Sequence, residues 1–330
     1  MLMIVELAAL SVGFVVSLLS MPLVMKFMKR KGIVGVDIHK KDHPSIPEMG
    51  GTAVIIGVAA SVLTVIVLTP GKTHLLISFL ASTLIAGAIG AVDDLKPLNA
   101  KVKPFLTLFS GIPILLLGAY NSRGPVFPIV GQTRLTIVYP IMIIIALAVT
   151  SNAVNMMDPF NGTMSGTCTV IAAVMIVSSL LLSRHDGLIL SLCIFGPLLV
   201  LYLFNKYPAK VFSGDVGSLS IGAALGAIAI ISQLEVVAVV AFAPQIMNAF
   251  YGLSTIGRLY ERREVPRPIV ILDDGRLMAT SDPNAPITLA RVILARGPLH
   301  EREAAQVFII LSIISGILAV FTAYLIKVTV

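Results

Sequence analysis

Charge is scarce in this chain. Asp, Glu, Lys and Arg make up 12% of its 330 residues against 57% hydrophobic residues, and mean hydropathy is +0.97. That scarcity excludes a soluble globular domain and makes lipid the main solvent. Cysteine is scarcer still. Cys168 and Cys193 both fall in apolar stretches, where a thiol acts as a small hydrophobe, so neither a disulfide nor a cysteine-held metal is expected. A cleavable leader is not expected. The first apolar stretch is too long for a signal-peptide core and no small-residue cleavage site follows it, so it is expected to stay as a helix.

What the chain does contain is one bilayer-length apolar segment after another. A spanning helix needs roughly 20 mostly apolar residues, and such segments lie near 2–25, 52–69, 73–92, 104–119, 136–154, 163–182, 187–204, 216–232, 234–256 and 306–327. The expectation is an all-α integral membrane protein of about ten transmembrane helices, forming a single polytopic domain over 1–330. No connection is long enough to fold as a separate soluble domain.

The net charge of +7 would suit nucleic acid, but its distribution argues against that. The connections after odd-numbered spans hold 19 of the 24 Lys and Arg residues. By the positive-inside bias these connections are cytoplasmic and both termini extracytoplasmic. Carboxylates follow the same division: 14 of 17 lie in the odd connections, with Glu6, Asp186 and Glu235 as the exceptions. Insertion rules do not require that. A catalytic site on one membrane face does.

Two connections carry strand signals. Residues 120–135, with Pro125, Pro128 and Gly131 among Val, Phe and Ile, read as a small interfacial hairpin. The long connection 257–305 reads as two short strands joined at Asp274-Gly275, which makes Asp273 and Asp274 turn residues. Residues 287–296 then alternate Arg with apolar residues, as a helix lying on the membrane surface would.

The polar residues of the odd connections form candidate chemistry. Asp93 and Asp94 end the third span, but helical neighbours point about 100° apart, so the two carboxylates cannot serve one ligand equally. Lys101 and Lys103 follow as phosphate-binding cations. Asn152, Asn155 and Asp158 would form a polar stripe until Pro159 breaks the helix. Hydrogen bonds between helices could satisfy that stripe, as could a hydrated Mg²⁺ or Mn²⁺, which favours oxygen ligands. Asp215 sits between glycines at a helix start, as a cap or a metal ligand. Arg258, Arg262, Arg263 and Arg267 supply guanidinium groups suited to a diphosphate.

In this order the motifs resemble those of the polyprenyl-phosphate N-acetylhexosamine-1-phosphate transferases. Asp93-Asp94, Asn152-Ala-Val-Asn155 through Asn161-Gly162, and Asn205-x-Tyr-Pro-x-Lys-Val-Phe-x-Gly-Asp215 look like that family's successive cytoplasmic motifs, and the likeness covers essentially the whole chain. Ile46-Pro47-Glu48, Pro244-Gln245-Ile-Met-Asn248 and Gly297-Pro298-Leu-His300-Glu301-Arg302 look most like the dolichyl-phosphate, archaeal-type branch. The cell-wall branch usually carries a His-x-His-x-Pro segment where this chain has Arg263-Glu264-Val265-Pro266.

The resemblance implies transfer of GlcNAc-1-phosphate from UDP-GlcNAc to a polyprenyl or dolichyl phosphate with release of UMP, the first step of lipid-linked oligosaccharide assembly for N-glycosylation. It implies Asn155 and Asp215 as ligands of Mg²⁺, with Mn²⁺ an alternative, and Asp93, Asp94 and Lys103 as the groups arranging the lipid phosphate. Arg262, Arg263 and Arg267 would bind diphosphate or sugar, Asn161 would contact substrate, and Val36, Ile38 and Glu48 would lie in the uridine-binding region. Glu264 departs from the dolichyl branch, which commonly has a basic residue there. A homodimer is compatible with all of this. The organism is left open: a cell membrane if prokaryotic, the endoplasmic reticulum if eukaryotic.

Rival readings make specific demands. An ion-coupled transporter would place these groups near the bilayer midplane and commonly show an inverted repeat; here they cluster at helix ends and no repeat is evident. A CDP-alcohol phosphotransferase needs Asp-Gly-x-x-Ala-Arg, which Asp274-Gly275-Arg276 does not continue.

Overall fold

A computed structural model describes residues 2–40, 42–260 and 264–329. The chain runs through α1 (Leu2–Arg30), β1 (Val34–Val36), β2 (Ser45–Pro47), α2 (Gly51–Leu68), α3 (Thr73–Leu95), α4 (Val102–Thr107) and α5 (Ile112–Leu116). It continues through β3 (Val126–Phe127), β4 (Gly131–Gln132), α6 (Tyr139–Met156), α7 (Thr163–Leu181), α8 (His185–Asn205) and α9 (Gly214–Ile231). The last elements are α10 (Glu235–Ala241), α11 (Ala243–Ile256), β5 (Ile269–Ile271), β6 (Leu277–Ala279), α12 (Leu289–Leu294) and α13 (Glu301–Thr329).

Among the described residues, eight helices are long and apolar enough to cross a membrane. They are α1, α2, α3, α6, α7, α8, α9 and α13, and they match eight of the ten expected spans. The other two are broken. The ninth is the pair α10 and α11, bent by 65° at Phe242, where Pro244 enters the first turn of α11 and cannot donate a backbone hydrogen bond. The expected span 104–119 is shorter than its apolar run suggested. A 3-10 turn at Leu108–Gly111 separates α4 from α5, and Val102–Leu116 extends only about 22 Å at 1.5 Å per residue, less than the hydrocarbon thickness. Pro104, Gly111 and Pro113 account for the interruption.

α9 is the axle of the bundle, packed against α3, α6, α2, α8 and α7. Its small residues let backbones approach closely, which is how helices associate where lipid supplies no hydrophobic drive. Gly51 of α2 meets the backbone of Gly217, and Gly90 of α3 meets the backbone of Asp215; a Cβ at Gly51 or Gly90 would overlap main-chain atoms. α1 and α13 are peripheral. They turn Leu7, Leu19, Leu23, Ile313, Ile317 and Phe321 outward, where lipid would solvate them.

The three hairpins among the described residues are antiparallel. β1 pairs with β2 through Val34↔Pro47 and Val36↔Ser45, a pairing that strand signals in the sequence did not announce. The chain after β2 is tied to the segment before α9: the Phe212 amide donates to Pro47 O at 2.9 Å, Gly50 to Phe212 O at 2.8 Å and Gly51 to Ser213 O at 2.9 Å. β3 pairs with β4 in the expected 120–135 connection. β5 pairs with β6 through Ile271↔Leu277, and Asp273-Asp274-Gly275 forms the turn, Gly275 having φ 84°. Asp274 accepts the Arg276 amide at 2.9 Å, as a turn residue does.

The helix expected at 287–296 is shorter and lies on protein. Ala290 and Leu294 of α12 are buried together with Phe160, Leu277 and Phe308. Arg291 points inward as well, donating to the carbonyls of Thr280 at 3.2 Å and Asp282 at 2.8 Å and also to that of Ala285. It organises the loop between β6 and α12.

Candidate active site

The end of α3, the start of α4, the end of α6 and the start of α9 meet at one mouth of the bundle. Asp94 accepts the amides of Asp215 and Val216 on its two carboxylate oxygens, at 2.7 and 3.0 Å. A carboxylate from another helix thus caps α9, whose first-turn amides have no partners of their own and which carries positive dipole charge there. Asp93 points elsewhere. Its Oδ1 accepts the Leu98 amide and its Oδ2 lies 2.5 Å from Lys103 Nζ.

Lys103 Nζ also reaches Asp215 Oδ2 at 2.5 Å, so one ammonium bridges two carboxylates. The other oxygen of Asp215 accepts from Asn155 Nδ2 at 2.8 Å, and the same amide donates to Ser218 Oγ at 2.8 Å. Asp158, beyond the end of α6, accepts from Ser213 Oγ at 2.6 Å. The polar stripe of the fifth span is therefore divided. Asn155 and Asp158 face the segment that opens α9, whereas Asn152 donates to Thr107 Oγ1 and to Ala148 O, both at 2.8 Å, and joins α6 to α4.

Glu48 belongs to the same neighbourhood. Burial, with the Asp215 charge as a second cause, raises its carboxyl above the usual range. The Glu48 carboxylate and the Phe212 ring lie over Gly35, where a Cβ would strike both. Val36 is exposed and Ile38 partly buried on the same arm.

Asn161 occupies the turn into α7. Its side chain donates to Asp37 Oδ2 at 2.9 Å and its backbone amide to Glu301 Oε1 at 2.9 Å. Burial alone would raise the Asp37 carboxyl, but hydrogen bonds from Lys40 and Asn161 outweigh it and hold the group below the usual carboxylate range. A groove of about 320 Å³ opens beside Asn161, with Lys206, Tyr207 and Arg302 among its walls.

Asp93, Asp94, Lys103, Asn155 and Asp215 are thus brought together, with Glu48 near them, whereas Asn161 is bonded to Asp37 and Glu301 instead. The arginine loop is only partly described. Arg262 and Arg263 lie outside the described residues. Arg267 is exposed on the approach to β5, and among the described residues no ion pair joins it to the carboxylates. Arg258 pairs instead with Glu264 at 3.4 Å.

The donor set can be tested for a divalent ion. Asp93, Asp94, Asp215 and Glu48 bring four carboxylates to the mouth, and Lys103 is the one cation bonded to this group among the described residues. The donors are carboxylate oxygens and, after a half-turn of its amide, Asn155 Oδ1. A hard, oxygen-seeking ion such as Mg²⁺ or Mn²⁺ fits that chemistry.

Residues missed from sequence are mostly those that hold others. Ser213, Ser218 and Asp37 gave no motif signal. Asn205, noted as part of a motif, proves to be a brace: its Oδ1 accepts from the Gly162 amide at 3.2 Å and Ser165 Oγ at 2.8 Å, while Nδ2 donates to Val211 O at 3.0 Å.

A lysine poised between carboxylates, at the membrane-proximal mouth of a helical bundle, suits a reaction that moves phosphate between a soluble and a lipid partner. The protein class that fold and site define is a membrane-embedded glycosyl-1-phosphate transferase. Residues 76–233 match the family described as Glycosyl transferase family 4. A glycosyltransferase of Methanocaldococcus jannaschii, provisionally so named, is 32% identical over 89% of this chain and 90% of its own; the chain belongs to this family. A Sulfolobus acidocaldarius protein, provisionally named UDP-N-acetylglucosamine–dolichyl-phosphate N-acetylglucosaminephosphotransferase, is 28% identical over 94% of this chain and 93% of its own. The phospho-N-acetylmuramoyl-pentapeptide-transferase of Bacillus licheniformis is 30% identical over 69% of this chain and 75% of its own.

Proposed function

We propose that the enzyme transfers GlcNAc-1-phosphate from UDP-GlcNAc to a dolichyl-type polyprenyl phosphate, giving polyprenyl-diphosphate-GlcNAc and UMP as the first step of lipid-linked oligosaccharide assembly. The observation that carries this reading is the double bridge of Lys103 to Asp93 and Asp215, with Asn155 on the same carboxylate. Support for the dolichyl acceptor comes from the nearly full-length match to the archaeal relative and from the missing His-x-His-x-Pro segment. The charged mouth faces the cytoplasm, both termini lie on the other side, and the 257–305 connection is a substrate loop within one polytopic domain.

Asp215, Asn155 and Asp93 would hold Mg²⁺. When bound, the ion supplies Lewis-acid charge for the diphosphate of the donor. Lys103, an ammonium already placed between carboxylates, attracts the lipid phosphate to the mouth. Asp94 fixes the first turn of α9 and thereby the direction of Asp215. Glu48 and Asn161 orient the nucleotide, and Arg262, Arg263 and Arg267 come down on the diphosphate or sugar from the long loop.

The acceptor needs no strong general base, because a phosphate monoester with a second pKa near 6 is largely ionised at neutral pH. Its oxygen attacks the phosphorus that bears the sugar. The new P–O bond forms as the bond to UMP breaks, and UMP leaves with the electron pair. Bringing two anions together is the demanding part, and fixed positive charge with correct positioning lowers its cost.

The test is purified protein assayed with a panel of UDP-sugars against dolichyl and undecaprenyl phosphates. UDP-GlcNAc with dolichyl phosphate should be the preferred pair, and preference for a muramoyl-pentapeptide nucleotide would overturn the assignment. Labelled UMP should not exchange into UDP-sugar without a lipid acceptor. Exchange under those conditions would replace direct attack by a covalent intermediate on an aspartate.

A further inference from the structure

A second convergence of ligating side chains shares no residue with the Lys103 bridge. Asp37 in the β1–β2 connection, His39 two residues on and Glu301 at the start of α13 each offer one ligating atom, and these atoms lie within 4.8 Å of one another. Asp37 and Glu301 are 3% and 4% exposed. Lys40 and Asn161 occupy Asp37 Oδ2, while among the described residues Oδ1 accepts only the His39 amide, at 3.3 Å, and keeps a lone pair.

Glu301 is the less satisfied partner. Its Oε1 takes the Asn161 amide and stands 3.8 Å from His39 Nδ1, too far for a hydrogen bond. Its Oε2 is buried and, among the described residues, has no hydrogen-bond partner. An unpaired buried carboxylate oxygen is costly, and Lys40 neutralises only one of the two acids. A cation seated between the three side chains removes both deficits.

We propose that Asp37, His39 and Glu301 form a second divalent-cation site, distinct from the Asp215 group. One imidazole nitrogen beside two carboxylates selects a first-row transition ion such as Mn²⁺ or Zn²⁺ over Mg²⁺. Donor atoms around such an ion stand roughly 3–4 Å apart, so the closure required is small. The ion would tie the β1–β2 arm to α13, and through Asn161 to the turn before α7. This assignment does not depend on the substrates proposed above.

The experiment loads the full-length purified protein with Mn²⁺ and measures ions per chain together with the electron spin-echo modulation of imidazole ¹⁴N. Wild-type protein should show that modulation, because His39 is a ligand here and no histidine belongs to the Asp215 group. Asp215→Asn should keep the modulation. His39→Gln and, separately, Glu301→Gln should remove it or weaken that ion's affinity at least tenfold while the protein stays monodisperse. Folded wild-type protein without imidazole modulation overturns the proposal whatever the variants do, as does modulation that survives in His39→Gln.

Discussion

Asp94 on α3 caps α9, accepting the amides of Asp215 and Val216 with its two carboxylate oxygens at 2.7 and 3.0 Å. Of the two adjacent acids, Asp94 therefore positions and Asp93 faces the cation. Asp94→Asn keeps one acceptor and sets an NH₂ against a backbone N–H. It should cost about 1–2 kcal/mol, as loss of a cap does, and lower turnover roughly 10–100-fold, as loss of a group orienting a ligand does. Melting temperature and turnover in one detergent check both, and wild-type turnover would remove Asp94 from the positioning role.

Asp215→Asn separates chemistry from folding. The residue contributes no cap, and its side-chain partners are Asn155 and Lys103. Monodisperse elution should persist while turnover falls by roughly 10²–10³ or more. Near-normal rates at ordinary Mg²⁺ would take Asp215 out of the metal site.

Lys103→Gln should affect metal and phosphate in opposite directions. With the ammonium gone from between Asp93 and Asp215, Mn²⁺ should bind at least as tightly as to wild type, since a competing positive charge has been removed. Turnover should drop with a raised KM for the lipid phosphate. Weakened Mn²⁺ binding would show that Lys103 only holds the carboxylates in place.

Gly90→Ala tests the contact under the site. Its Cβ would meet the main chain of Asp215 and Val216, so α9 must shift or α3 must yield, an overpacking cost of about 1–3 kcal/mol. Both melting temperature and turnover should fall. Gly71→Ala is the control, because nothing lies within 4 Å of a Cβ there and neither quantity should change.

Glu48 gives a pH signature. Its folded-state pKa is raised, by burial first and by the Asp215 charge second. The stability linked to it is therefore fully present below the unfolded carboxyl pKa and lost as pH rises through the folded value. Glu48→Gln should remove that decline, melting higher than wild type at neutral pH, while activity falls if Glu48 contacts the nucleotide. A decline as steep in the variant as in wild type would assign it to another group.

The order of spans, the hairpin at Asp274-Gly275 and the meeting of Asp93, Asn155 and Asp215 were all legible in the sequence. Hydrophobic runs of bilayer length and turn chemistry are local signals, and helix ends marked by acids and asparagines share one side, where the motif resemblance groups Asp93, Asn155 and Asp215 in one site. Length alone misjudged Val102–Leu116, where proline and glycine break the helix inside an apolar run. The different tasks of Asp93 and Asp94 were legible only as a divergence of about 100°; which of them meets α9 depends on how α3 is rotated in the bundle. Asp37 escaped notice because a single acid between Val36 and Ile38 has no local pattern. Its importance arises from Asn161 and Glu301, more than a hundred residues away.

The central placement of α9 has a mechanical consequence. Its apolar window is 83% buried within the protein, against 28% for α1 and α13. A thicker or thinner bilayer acts on the helices it touches, which tilt to match it; α9 is solvated almost wholly by other helices and meets little of that force. The end of α9 that carries the proposed site is thereby insulated from the surrounding lipid, and membranes of different thickness would leave Asp215 in the same register with Asp94 and Asn155.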